Sequence, residues 1–425
     1  MGETLDYADR LWRGEETITS GHQLFANLSL EECTDGVAFL PTFANVSAFS
    51  TDDGLFLVDT GAEMMASIIH GQIRAWSDKP LHTAVYSHGH VDHVFGVPIF
   101  QAEAAEKGWR APQVVAHEAL PARFDRYKMT AGYNAVINRR QFQVPNLQWP
   151  MDYRYPDVTY RDSMTLVVGG LTIELHHARG ETDDHTWTWV PEKKVLCSGD
   201  LFIWASPNAG NPQKVQRYPI EWARALRKMA ALDAEFLLPG HGVPVVGADR
   251  IKTALLDTAA LLESLHEQTV AMMNEGARLD EIIHTVKAPA ELLDKPYLRP
   301  VYDDPEFIVR NVWRLYGGWY DGNPASLKPA PDAVVASELA ALAGGASALA
   351  SRASELAAAG DEDSLRLAGH LAEIAALAEP DDAGVHRVRA EVFGARTEFE
   401  SSTMAKGVFG WAAAESRKKS GPDGK

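Results

Sequence analysis

Two patterns of apolar and polar residues divide this chain, with short dense apolar runs between polar turns in the first half and helical periodicity in the second. Gly36-Val37-Ala38-Phe39-Leu40 opens a strand-like segment that continues to Phe49. Leu55-Phe56-Leu57-Val58-Asp59 forms the next, and Thr51-Asp52-Asp53-Gly54 is the hairpin turn between them. Met64, Met65, Ile68, Ile69 and Ile73 recur at helical spacing over residues 62–76, and His82-Thr83-Ala84-Val85-Tyr86 reads as a buried strand. Val94, Phe95 and Val97 are core-like, and Val114 and Val115 mark another strand. A hairpin with a Gly169-Gly170 turn follows over 166–175, then strands at 186–190, 194–197 and 237–238. Residues 220–231 and 250–276 read as amphipathic helices, the second ended by Gly276.

Two stretches depart from these patterns. Residues 121–156 show no clean period and carry Arg123, Arg126, Tyr127, Tyr133, Asn134, Arg139 and Arg140, so they predict an irregular lid or binding loop. Tyr133 and Arg139 are candidates for contact with an anionic substrate, the alternative being arginines that simply face water. Residues 294–324 are dense in Tyr, Trp and Arg, which suits the core of a protein interface. Beyond them Leu339, Leu342, Leu349, Leu356, Leu367, Leu371 and Leu377 recur at helical spacing, punctuated by Gly360 and Pro380.

A chain of 425 residues exceeds what one hydrophobic core supports, so more than one domain is expected. The net charge of −18 argues against nucleic acid or an anionic membrane surface as partner, while leaving open a small anionic substrate that responds to a local field. Cys33 and Cys197 are too few for a disulfide framework and read as reduced core residues. The acidic N-terminal stretch has no apolar core of a secretory signal, and apolar runs stay short of a membrane span, so a cytoplasmic location is expected.

Tyr86-Ser87-His88-Gly89-His90-Val91-Asp92-His93 concentrates the chemistry, with metal-competent side chains at the end of a predicted buried strand. Imidazoles and a carboxylate are costly to bury without partners, and a cation offsets that cost. His88, His90 and Asp92 alternate onto one side of an extended turn while His93 points elsewhere, so the cluster can serve two neighbouring ions. A polar surface loop with clustered histidines is the simpler alternative.

His-x-His-x-Asp-His after a short strand resembles the signature of the metallo-β-lactamase superfamily. Asp59-Thr60-Gly61 resembles that superfamily's first motif, with Asp59 read as an orienting residue under the metal loop. The stretches at 176–185, 198–200 and 237–242 resemble the later motifs in their usual order. The likeness implies an α/β fold, an αββα sandwich holding one or two metals, usually zinc, at the open edge of its sheets.

Where many members have Pro-Gly-His-Thr, this chain has Arg179-Gly180-Glu181-Thr182, and in that respect it resembles the alkylsulfatase branch. The resemblance implies His88, His90 and Glu181 on one metal, Asp92, His93 and His241 on the other, and Asp200 bridging. His185 competes with Glu181, since imidazole is the softer zinc ligand; if Glu181 ligates, His185 is left as a substrate-orienting group or proton donor. His176 and His177 read as packed residues rather than ligands. Two Zn2+, or other divalent ions, about 3.5–4 Å apart would share a water and lower its pKa from about 16 towards 7. Asp92, His185 or a metal-bound water then protonates the leaving group. Asn208, Asn211, Lys214 and Arg217, on the Gly/Pro-punctuated loop after Asp200, suit sulfate or phosphate oxygens, against the reading of an ordinary solvated loop.

Residues 294–324, above all Gly318-Trp319-Tyr320-Asp321-Gly322-Asn323-Pro324, resemble the alkylsulfatase dimerisation region, and the leucine-bearing tail resembles tetratricopeptide-like helix pairs. The expected organisation is a catalytic domain over 1–275, an all-α dimerisation domain over 276–415 and a disordered tail over 416–425, with a homodimer formed through about 290–330 and the helical tail. Alkylsulfatases of this type generally carry a further C-terminal sterol-carrier-like domain; here the sequence reaches a charged tail instead, which puts long-chain detergent sulfates in doubt as substrates. The functional expectation is a binuclear metal hydrolase attacking a sulfate ester. The alternatives are lactone, thioester, phosphodiester or β-lactam cleavage on the same fold, or a non-catalytic metal-containing binding protein.

Overall fold

The computed structural model describes residues 2–24 and 29–421 and divides the chain into two compact units: Met1–Asn134 with Gln148–Gly318, and Ala135–Leu147 with the chain from Trp319 onward. Among the described residues, no single helix is long and apolar enough to cross a membrane.

Two sheets form the first unit. One runs in chain order through β1 (Glu31–Thr34), β2 (Val37–Leu40), β3 (Val46–Thr51), β4 (Gly54–Val58), β5 (Leu81–Val85), β6 (Gln113–His117) and β7 (Val158–Tyr160). The other holds β8 (Ser163–Val168), β9 (Leu171–His177), β10 (Thr186–Val190), β11 (Val195–Gly199), β12 (Phe236–Pro239) and β13 (Val245–Val246), ordered from β13 back to β8. β3 and β4 pair through the predicted hairpin, with Thr51 opposite Gly54, and β8 and β9 pair with Val168 opposite Leu171.

Strand alternation sends side chains to opposite faces, and here both faces are apolar because both are covered. Val37, Phe39, Phe56 and Val85 of the first sheet meet Ile173, Leu175, Val190 and Cys197 of the second in one core. Ala38, Leu40, Leu57 and Ala84 turn the other way and pack with Ile69, Phe100 and Phe124 of the helices Ala66–Trp76, Val97–Lys107 and Leu120–Met129. Trp187, Trp189 and Leu196 pack with Trp222, Leu226 and Leu255 of the helices Pro219–Met229 and Ala248–Asn274. The layers are helix, sheet, sheet, helix, the expected αββα sandwich.

Several local expectations are corrected. Residues 36–49 form two antiparallel strands, β2 and β3, rather than one. The supposed lid at 121–156 contains the helices Leu120–Met129 and Ala131–Phe142. Its helical period was hidden because Arg123 sits among buried Leu120, Phe124 and Tyr127, so a charged residue occupies a core position. In the segment 294–324, Tyr297, Leu298, Val301, Ile308 and Val309 belong to the first unit's core, leaving Tyr316, Trp319 and Tyr320 exposed. The first compact unit therefore reaches Gly318.

The second unit is helical, with Asp332–Ala343, Ala346–Ala357, Glu362–Ala378, Ala383–Phe399 and Thr403–Lys419 among its elements. Its buried positions are mostly alanine, including Ala350, Ala353, Ala368, Ala372 and Ala375, while Leu339, Leu342 and Leu367 stand exposed. Small side chains let the helices approach closely, and Leu349, Leu356 and Leu371 pack against these alanine rows. Residues 416–419, placed by sequence in a disordered tail, continue the last helix; residues 422–425 of that tail lie outside the described residues.

Candidate metal centre

The site lies where β4, β5, β9, β11 and β12 end, and it belongs wholly to the first unit. Asp59 ends β4 with φ +60, a left-handed conformation uncommon outside glycine. Its buried carboxylate accepts the Ser87 backbone N–H at 2.7 Å, the Ser87 hydroxyl at 2.7 Å and His93 Nδ1–H at 2.7 Å. The loop after β5 is thereby fastened to the end of β4.

These bonds decide the histidine tautomers. His93 gives its Nδ1 proton to Asp59, leaving the Nε2 lone pair facing Asp200 Oδ1 at 3.4 Å and Asp92 Oδ2 at 3.7 Å. His241 Nδ1 lies 2.8 Å from the carbonyl of Phe43, which can only accept, so His241 Nε2 is the lone pair facing Asp200 Oδ2 at 3.3 Å and Asp92 Oδ2 at 3.5 Å. The Ser87 hydroxyl donates to Asp59 and accepts from His88 Nδ1 at 3.0 Å, freeing His88 Nε2 towards Asp200 Oδ2 at 3.7 Å and Glu181 Oε2 at 4.0 Å. His90 Nδ1 lies 2.7 Å from His88 Nε2 and 3.9 Å from Glu181 Oε1.

The structure brings together His88, His90, Glu181 and Asp200 as one group and Asp92, His93 and His241 as another, the facing atoms of each lying within 4.8 Å of one another. Asp200 reaches both groups. Burial drives His88 and His90 well below the usual histidine range, neighbouring imidazoles adding for the first and Arg217 for the second. At His93 burial is outweighed by Asp200, Asp59 and Asp92, which hold it well above that range. Burial lifts Glu181 with help from the Asp200 charge, whereas Asp200 is held low because His241, His93 and His88 outweigh its own burial. Among the described residues, His93 Nε2, Glu181 Oε2 and Asp200 Oδ1 are buried without a hydrogen-bond partner. Converging imidazole nitrogens and carboxylates, with orphaned ligand atoms among them, form the donor set of divalent cations such as zinc, and the carboxylates that favour a proton on His93 would favour a cation in its place, so the residues present fit a metal site.

His185 is not free. Its Nε2 accepts the Asp200 backbone N–H at 3.1 Å, its ring stacks on His88 at 4.9 Å between centroids, and burial pushes it down to about 4. It stands behind the ligands and orients Asp200, a different place from the proton donor expected from sequence. Asp92, the other expected acid–base residue, lies at the partly open side of the cluster.

The loop after β11 returns polar groups to Glu181. Asn208 Nδ2 donates to Glu181 Oε1, and Arg217 Nη1 donates to the Glu181 carbonyl and lies 3.4 Å from Oε1. Asn211 donates its backbone N–H to buried Asp303 at 3.1 Å. Lys214 lies over the Trp149 ring, and burial, with Arg217 adding, pushes its ammonium down to about 8. Tyr133 is 66% exposed, and Arg139 belongs to the second unit, where its Nε–H goes to the Leu147 carbonyl; among the described residues neither bonds to the cluster.

Sequence reasoning missed Ser87, Arg123, Asp184, Tyr302 and Asp303. Asp184 and Ser87 each neighbour a motif residue, which was a usable signal. The Tyr302 hydroxyl is pushed well above its usual value by burial and by the charges of Glu181, Asp92 and Asp200. Glycine is required at position 240, since a Cβ there would fall 2.0 Å from Asp200 Oδ1.

Comparison with known proteins agrees with this geometry. Residues 40–241 match the metallo-beta-lactamase superfamily, and residues 278–419 match the alkyl sulfatase dimerisation family. A linear primary-alkylsulfatase from Pseudomonas sp. is 31% identical over 316 residues, covering 69% of this chain and 59% of that protein. An (R)-specific secondary-alkylsulfatase from Pseudomonas sp. is 29% identical over 388 residues, covering 84% of this chain and 58% of that protein. This chain thus spans less than three fifths of the length of either relative. The solved structure of a stereoselective inverting sec-alkylsulfatase from Pseudomonas sp. superimposes with a TM-score of 0.82 at 23% identity, over 98% of this chain and 71% of that one, which shows a shared fold. Residues 40–241 thus form a metallo-β-lactamase superfamily domain, joined in the same chain to an alkyl sulfatase dimerisation domain over residues 278–419.

Proposed function

We propose that this chain hydrolyses sulfate esters with two zinc ions. The observation that carries the reading is Glu181, a carboxylate in the ligand loop, held by Asn208 and Arg217 and facing His88 and His90. The alkylsulfatase relatives give the reaction class. His88, His90 and Glu181 would hold one cation, Asp92, His93 and His241 the other, with Asp200 between them. Bound divalent cations supply Lewis acidity and a water acidic enough to act as nucleophile near neutral pH.

The remaining tasks fall to protein groups. Asp59, Ser87, the Phe43 carbonyl and His185 hold tautomers and orientation. Arg217 and Asn208, which hold Glu181, and Lys214 and Asn211 on the same loop would offer donors to the oxygens of an anionic ester. Asp92, whose side chain is partly exposed, would move a proton to the leaving oxygen. The alkyl sulfatase dimerisation region supports a homodimer.

The test is release of inorganic sulfate from short alkyl and aryl sulfates by the chain stripped of metal and reloaded with zinc. Turnover that needs the metal supports the reading. Absence of sulfate release, with turnover of a lactone or thioester instead, overturns the substrate and leaves the metal site standing.

A further inference from the structure

We infer that Arg123 and Asp184 act as a positioning pair for the first ligand group, setting the distance between the loop carrying His88 and His90 and the loop carrying Glu181. This rests on the reading of two metal groups given above and extends it to residues that touch neither group's facing atoms.

Asp184 is buried three residues after Glu181, and its carboxylate is used twice. Oδ2 accepts the backbone N–H of Gly89, the residue between His88 and His90, at 2.9 Å. Oδ1 accepts Arg123 Nε–H at 2.7 Å, while Arg123 Nη2 reaches Asp183. Arg123 is itself buried, so the guanidinium fork joins two adjacent carboxylates from within the protein. Gly89 shows how tightly the parts fit: a Cβ there would lie 2.7 Å from Arg123 Cδ and 3.1 Å from Asp184 Oδ2. The helix bearing Arg123 is fixed in turn, since His117 Nδ1 accepts the Ala119 N–H at 3.2 Å just before it begins.

The second group is fastened differently. Asp59 holds His93, and the Phe43 carbonyl holds His241, neither through Arg123 nor through Asp184. Damage to the pair therefore falls on one cation and spares the other. Asp184→Asn keeps size and one oxygen, but its amide nitrogen can accept from neither Gly89 nor Arg123. Arg123→Lys keeps the charge and loses the fork.

The experiment measures zinc bound per full-length chain by chelator competition, with cobalt(II) absorption as a second readout and circular dichroism to establish folding. Wild type should bind two cations. Asp184→Asn should weaken one of them about 10- to 100-fold and leave the other at wild-type affinity, and Arg123→Lys should act in the same direction, less strongly. Unchanged affinity for both cations, or equal weakening of both, in folded variants overturns the pair's role. Should Asp184→Asn fail to fold, Arg123→Lys decides alone. A wild-type chain that binds no divalent cation overturns the site reading itself, and that result is obtained before any variant is compared.

Discussion

Asp59 Oδ2 accepts His93 Nδ1–H at 2.7 Å, and through that bond a carboxylate that touches neither proposed cation decides which imidazole nitrogen faces them. Asp59→Asn would present an amide to Ser87 and His93, whose three groups on this carboxylate are all placed to donate. Loss of metal affinity of about 10- to 100-fold is expected, read by metal content after dialysis against graded chelator. Wild-type retention would show that packing alone orients the ring.

Removing the cations should lower stability, because two carboxylates then lie buried among imidazoles with ligand atoms unsatisfied. A cation at about 100 times its dissociation constant adds about 2.7 kcal/mol to the folded state. Thermal denaturation with and without chelator, followed by zinc readdition, measures this. A melting temperature indifferent to zinc would argue against a resident metal.

Asp303 gives a pH dependence with a definite sign. Its carboxylate is buried and accepts the N–H groups of Gly210 and Asn211, and burial outweighs these bonds to push it up to about 7. Because this folded-state value lies above that of the unfolded chain, the folded protein keeps a proton that the unfolded chain releases. Stability should therefore fall as pH rises from about 4 to about 7, by at most about 1.4 kcal/mol per pH unit. Denaturant unfolding of wild type and Asp303→Asn across that range tests it, since the variant should lack this slope. Parallel slopes would show that Asp303 is already ionised in the fold.

In the second unit the buried alanines and exposed leucines predict opposite responses. Ala353→Leu should destabilise by about 1–3 kcal/mol, because Ala353 is fully buried against Ala368, Ala372 and Val392. Leu342→Asp should change stability by less than about 0.5 kcal/mol, since Leu342 is 77% exposed. If the proposed dimer uses this face, Leu342→Asp shifts the mass measured by light scattering towards the monomer.

Much of the sandwich was legible because strands buried on both faces leave uninterrupted apolar runs, and hairpins leave Asp-Gly and Gly-Gly signals. Two places were not. Helix Leu120–Met129 was masked by Arg123, whose charge is matched by Asp184, about 60 residues further along the chain. Within 294–324, Tyr297, Leu298, Val301, Ile308 and Val309 turn into the core of the first unit, which the sequence did not reveal because aromatic and apolar density reads the same whether the partner is another chain or the same one.

Sequence alone determined the kinds of candidate ligand and their order along the chain, since motif chemistry resides in residue type and short spacing. Tertiary structure decided how those residues are held: which nitrogen each histidine presents, that Glu181 faces His88 and His90 while His185 stands behind Asp200, and that Asp200 lies between the groups. These relations depend on loops from separate strands meeting at one sheet edge, and spacing along the chain carries no information about distance across it.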